Sequence, residues 1–130
     1  ISPHAVLLTR SRGVKALRQD VLARAPGLGR WQHVLLIDGN IGIAGDAAVL
    51  LGRCRELLWS GGTVIVEAEP PGTGVRKLLV RLLQGDRTSR PFNWLISDGI
   101  GIKAAGAAVG LVSTDEWAVG GRWFVELSMP

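Results

Sequence analysis

Apolar positions along the chain repeat with helical and strand-like spacing in alternating blocks, the pattern of an α/β domain built on a mostly parallel sheet. Ser2 followed by Pro3 predicts a helix entry, a cap and then a first-turn proline, with Gly13 as its stop. Val14 to Val21, VKALRQDV, reads as a short strand. After a loop at Pro26, Gly27 and Gly29, the run HVLLID at 33–38 predicts a buried parallel strand ending in an aspartate. Asp46 can cap a helix from Ala47, in which Leu50, Cys54, Leu57 and Leu58 form one apolar face. Ser60, Gly61 and Gly62 would end it, and TVIVEAE at 63–69 predicts the next buried strand.

Further along, Pro70, Pro71, Gly72 and Gly74 mark a loop. Val75, Leu78, Leu79, Leu82 and Leu83 fit the helical template at every position. Residues 84–97 read as a loop carrying Pro91, Phe92 and Trp94. A small-residue helix is predicted over about 98–109, with Ile100, Ala104, Ala107 and Ala108 on one face. The terminal stretch LVSTDEWAVGGRWFVEL predicts two antiparallel strands turned by Gly120-Gly121.

The 130 residues suit one domain, and 47% hydrophobic content excludes a disordered tail. The single cysteine, Cys54, excludes a disulfide scaffold and falls on the apolar helix face, so it reads as a core thiol in a reducing, cytoplasmic setting. No apolar run has the length of a membrane span, and the opening ISPHAV lacks the features of a signal peptide. The chain also opens without a methionine, which raises the expectation of upstream residues. The net charge is +4, but the arginines are scattered from Arg10 to Arg122. The nearest approach to a cluster is Arg76, Lys77 and Arg81, so a nucleic-acid partner is not expected.

Three glycine-containing stretches resemble phosphate loops and fail in detail. EPPGTGVRK at 69–77 lacks the lysine that would reach the β- and γ-phosphates, since Val75 occupies its place. Gly99-Ile-Gly101-Ile-Lys-Ala104 has no acid about twenty positions later, where Phe124 stands. Gly39, Gly42 and Gly45 have the wrong spacing for a dinucleotide turn. His4 and His33 join no triad or metal signature, so no metal site is expected.

The carboxylates carry more. Asp38 lies at the C-terminal end of an apolar strand, where open α/β sheets place their ligand crevice, and Asp20 lies near the end of the preceding predicted strand. Glu67 and Glu69 share a face of theirs, as an edge or crevice lining.

The order RQDVL, then a strand ending LLIDG, then a helix ending SGG before a strand, then the closing GGRWFVEL, resembles a class I S-adenosylmethionine-dependent methyltransferase. The resemblance covers the later two thirds of that family's domain. It implies a single, partial domain over 1–130: a three-layer Rossmann-like sheet, mostly parallel with an antiparallel C-terminal hairpin, lacking the first two strands of the family order 3-2-1-4-5-7-6. It implies S-adenosylmethionine as cofactor and a small-molecule acceptor. Residue by residue, Asp20 and Val21 would contact adenine, and Ile1 would pack on it. Asp38, Gly39 and Asn40 would face the methionine part and the reacting methyl. Ile41, Gly42, Pro70 and Trp94 would line the acceptor site. Asp38 is the first candidate for a catalytic base and His33 the second.

The family's glycine-rich loop and ribose-binding acid have no counterpart in the sequence. The expectation is therefore upstream residues or a strand-swapped homodimer, with weak cofactor binding and no activity from this segment alone. The alternative is a non-catalytic module of the same fold, kept for ligand binding or dimerisation.

Overall fold

The computed structural model describes residues 2–23 and 25–130. At its centre is a four-stranded sheet in the order β1-β2-β8-β7: β1 Trp31–Leu36, β2 Leu58–Ala68, β7 Val112–Val119 and β8 Arg122–Ser128. β1 and β2 run parallel, as the connection through helix α2 (Ala47–Leu57) requires. β8 pairs antiparallel with β2 and with β7. Parallel pairing is thus confined to β1–β2 and the sheet is mixed, which corrects the mostly parallel arrangement predicted above. The β7–β8 hairpin turns at Gly120-Gly121 as predicted, both glycines having positive φ.

The buried faces of β1, β2 and β8 present Leu36, Val64, Val66, Ala68, Val125 and Leu127 to α2 and to helix α3 (Gly99–Ala108). Leu50, Leu51 and Cys54 of α2 are fully buried there. α3 lies close to β8 because Gly106 lacks a side chain: a Cβ there would sit 2.9 Å from Leu127 Cδ1. The opposite sheet face is open to solvent at Leu35, which is 60% exposed. Helix α1 (Pro3–Ser11) is capped by Ser2, whose Oγ accepts the Ala5 N–H, but it buries no residue. The described residues therefore form a sheet with helices on one face, two layers where three were expected.

Four local readings differ from the structure, each for a physical reason. Residues 14–20 form no strand. The segment joins no ladder among the described residues, so its N–H and C=O groups are not paired as a strand's would be. Instead the Arg10 guanidinium holds the Ala16 carbonyl at 2.8 and 3.0 Å.

α2 ends at Leu57 rather than at Ser60, and Ser60-Gly61-Gly62 belong to β2. Gly61 takes φ +80°, and the β1–β2 register shifts beside it, between Trp31 and His33. These glycines serve an irregularity in the ladder.

Val75–Val80 is strand β3, not a helix, and Phe92–Ser97 is strand β6, not loop. They pair antiparallel, placing Leu78 opposite Trp94 and Val80 opposite Phe92. These cross-strand apolar pairs override the helical spacing. A two-residue turn at Gly85-Asp86 joins the short strands β4 (Leu83–Gln84) and β5 (Arg87–Thr88) at the tip of this ribbon.

Candidate functional site

A cleft of about 260 Å³ opens at the C-terminal ends of β1 and β2, beside the start of β8. In an open α/β sheet this is the end where loops leave the strands and ligands bind. One wall comes from Gly39 and Ile41, another from the β2 end and its loop at Glu67, Ala68, Glu69 and Pro70. Trp94, Leu95 and Ile96 of β6 and Gly121, Arg122 and Trp123 of the hairpin complete it.

The polar centre is a three-residue bridge. Arg122, the first residue of β8, donates from Nε to Glu67 Oε1 at 2.7 Å and from Nη2 to Glu67 Oε2 at 2.6 Å. Nη2 also donates to Asp38 Oδ1 at 2.8 Å. Glu67 Oε2 accepts the backbone N–H of Asp38 at 2.6 Å. Such charge-assisted, two-pronged contacts carry geometric specificity that a lysine lacks. The guanidinium holds the Glu67 carboxyl below the usual carboxylate range, helped by the Asp38 N–H. Arg122 also lies over the Phe124 ring, 5.6 Å from its centroid, and Phe124 stacks on Trp117 at 5.5 Å.

The turn leaving β1 is unusual. Asp38 has φ +57° and Gly39 φ +73°, so two successive residues sit in the left-handed region. Glycine adopts it freely, and aspartate is among the few other residues that visit it, helped by local hydrogen bonds. A 3-10 segment (Asn40–Gly45) follows and buries Ile41 and Gly42. Gly42 packs directly on the Trp94 indole, and a Cβ there would overlap the ring. Asp46 then caps α2, accepting the N–H groups of Ala48 and Val49 and pairing with Lys77 at 3.1 Å.

The loop that follows Pro70 is anchored by Asp98, which is buried at the start of α3. Its Oδ2 accepts the Gly74 and Gly72 N–H groups at 2.9 and 3.2 Å, and Oδ1 accepts that of Gly101 at 3.1 Å. These bonds, that from Gly74 foremost, keep its carboxyl below the ordinary aspartate range. The 70–74 loop is thereby tied to the helix.

Of the predicted site residues, the structure brings Gly39, Ile41, Pro70 and Trp94 to the cleft wall, and Asp38 to its edge through Arg122. Asn40 starts the 3-10 segment, and Gly42 lies behind the wall, under Trp94. Asp20 and Val21 do not line the cleft. Asp20 closes a local turn by accepting the Leu22 N–H at 2.9 Å, and Val21 packs against the core while its carbonyl accepts from Arg53 Nε of α2. Ile1 lies outside the described residues. His33 sits near the start of β1, its Nδ1 2.9 Å from Thr63 Oγ1, at the other end of the strand from Asp38. Cys54 is fully buried, and burial pushes its thiol up to about 12, so it offers no thiolate.

Arg122 is the residue that sequence reasoning missed. The signal was present: it follows the Gly120-Gly121 turn, so antiparallel pairing brings it beside the end of β2. No helix among the described residues is long and apolar enough to cross a membrane.

No protein-family model matches the sequence, and no curated protein is significantly similar to it. Solved structures do match. A SAM-dependent methyltransferase from Bacteroides fragilis, in complex with S-adenosyl-L-homocysteine, superposes with a TM-score of 0.77 at 20% identity, over 99% of this chain and 60% of that one. The 1,6-didemethyltoxoflavin-N1-methyltransferase of Burkholderia thailandensis gives 0.67 at 13% identity, over 99% and 57%. The SAM-bound amino pentose methyltransferase of calicheamicin biosynthesis from Micromonospora echinaspora gives 0.69 at 17%, over 100% and 72%. The chain spans about three fifths of the length of the first two. The chain has the fold of the class I S-adenosylmethionine-dependent methyltransferases.

Proposed function

We propose that this chain forms the acceptor side of an S-adenosylmethionine-dependent methyltransferase acting on a small molecule. The observation that carries the reading is the cleft at the C-terminal ends of β1 and β2, walled by Trp94 and Trp123 and edged by Asp38, Glu67 and Glu69. Three carboxylates against one guanidinium leave this mouth electronegative, which suits the sulfonium and ammonium charges of the cofactor's methionine end. When bound, the cofactor supplies an activated methyl group on a good leaving group. The chain's task is then to position the acceptor and exclude water. Asp38, Gly39 and Asn40 face the methionine end in this reading, while Ile41, Pro70 and Trp94 shape the acceptor side. Gly42 sets the depth of the Trp94 wall. In this reading Asp38 takes any proton that the acceptor must lose.

The fit is to the methionine end only. The cleft includes no glycine-rich loop or ribose-binding acid, and the reading does not rest on Asp20, Val21 or Ile1. Cofactor binding by these residues alone is accordingly weak, roughly millimolar, and turnover by them alone is nil. The test is an NMR titration of the ¹⁵N-labelled protein with S-adenosylhomocysteine, which detects binding in that range. The amides of Gly39, Asn40, Glu67 and Arg122 should shift together on one binding curve. No shift at these amides up to about ten times that dissociation constant would contradict the reading.

A second reading, a non-catalytic module that pairs with another copy, is favoured by the open edge of β1 and the exposed Trp31 and Leu35 on that strand. Sedimentation equilibrium separates the two: a stable dimer that ignores S-adenosylhomocysteine supports the module.

A further inference from the structure

We propose that Arg122, acting through Glu67, is a positioning residue that holds the Asp38–Gly39 turn in its left-handed conformation. The inference rests on the reading above that this turn faces the cofactor. Asp38 and Ala44 are the two non-glycine residues with positive φ among the described residues. Ala44 lies inside the 3-10 segment, whose neighbours Ile41, Gly42 and Gly45 are buried. Asp38 has no such packing, its side chain being 85% exposed. What fixes it is polar, and comes from two other strands. Glu67 of β2 accepts its backbone N–H at 2.6 Å, and Arg122 of β8 takes its carboxylate at 2.8 Å.

Glu67 cannot aim at that N–H unaided. Its two oxygens are set by the Nε and Nη2 prongs of Arg122 at 2.7 and 2.6 Å, and a planar fork fixes the carboxylate plane where a single point charge would not. The guanidinium is itself steadied over Phe124, which stacks on Trp117. A chain of contacts therefore runs from the C-terminal hairpin to the turn leaving β1. Simple ion pairing at so exposed a place would contribute little, so the geometry of the bonds is what matters.

The test combines two readouts on Arg122→Met, Arg122→Lys and Glu67→Gln, each first shown to melt cooperatively. In the ligand-free protein, hydrogen exchange of the Asp38 amide should accelerate about tenfold or more in Arg122→Met, the scale of losing a hydrogen bond to a charged group. Its proton resonance should move upfield, away from the position set by the carboxylate. Arg122→Lys should restore only part of both effects, and Glu67→Gln should resemble Arg122→Met; should Arg122→Met not melt cooperatively, Glu67→Gln carries the same two readouts. In the second readout, half-saturation by S-adenosylhomocysteine should rise in Arg122→Met by less than the exchange rate does, because affinity falls only by the fraction of protein that loses the competent turn.

An Asp38 amide unchanged in the folded Arg122→Met and Glu67→Gln proteins would overturn the proposal, as would full rescue by lysine. The two claims fail separately. If the ligand perturbs nothing in the unaltered protein, the functional reading falls while the exchange data still decide whether Arg122 holds the turn.

Discussion

Asp20 and Asp38 are the same residue type, and each follows an apolar stretch, yet the folded chain treats them differently. Asp38 follows a strand paired along its length with β2, which delivers Glu67 to it, and one further strand, β8, delivers Arg122. Asp20 follows a segment with no strand partner and satisfies only the amide two residues ahead. An acid at a strand end becomes part of a site when the sheet beside it supplies partners. The strand pairing therefore decides which of the two aspartates reaches the cleft.

The contrast is broken most severely by removing the framework around Asp38. Leu51→Ala, at a fully buried position on α2, should cost about 2–5 kcal/mol in denaturant unfolding. Leu17→Ala in the Asp20 segment, where the side chain is exposed, should change stability by no more than about 0.5 kcal/mol. Equal losses would mean that the two regions share one core.

Next in size is Gly42→Ala. The new methyl must displace the Trp94 indole, an overpacking cost of about 1–3 kcal/mol, and near-ultraviolet circular dichroism should report the altered tryptophan environment. An unchanged spectrum and melt would show that β6 does not press on the 3-10 segment.

Acid should sharpen the same contrast. The carboxyls of Asp46, Glu67 and Asp98 are all held below their ordinary values, by Lys77, by Arg122 and by the Gly74 N–H respectively. Each group binds its proton more weakly when folded. The stabilisation is therefore complete above the unfolded values of about 4 and is lost as pH falls through the lowered folded ones. Thermal midpoints should hold from pH 7 to 5 and drop below about pH 4. Asp46→Ala, which removes a helix cap, should cost about 1 kcal/mol at pH 7 and flatten part of that drop. Asp20→Asn, which keeps an acceptor for the Leu22 N–H, should leave the midpoint at pH 7 unchanged, the smallest effect in the series.

The sequence made the framework legible wherever burial and local chemistry agreed. β1, β2, the Asp46 cap, α3 and the hairpin at Gly120-Gly121 are all readable from apolar runs, caps and turn glycines. The failures have one physical source: a strand is defined by its neighbour. Val75 to Leu83 carries helical spacing, yet Leu78 and Val80 find Trp94 and Phe92 across a ladder that lies outside any local window. Val14 to Val21 carries strand spacing and finds no ladder. The site divides the same way. Asp38 stands out at the end of an apolar strand, and Gly39, Ile41, Pro70 and Trp94 follow from the family resemblance, although Trp94 reaches the cleft from strand β6 and not from a loop. Arg122 emerges only once β8 is laid antiparallel to β2, because its partners lie 55 and 84 residues away.

The central claim is that the turn after β1, and not the Asp20 segment, meets the methionine end of the cofactor. The most direct measurement is ultraviolet cross-linking of methyl-labelled S-adenosylmethionine to the protein, followed by peptide mapping. The account predicts label in the peptides spanning 31–45 and 58–69, removed by excess S-adenosylhomocysteine. Label confined to residues 14–23, or label that the competitor does not displace, would contradict it.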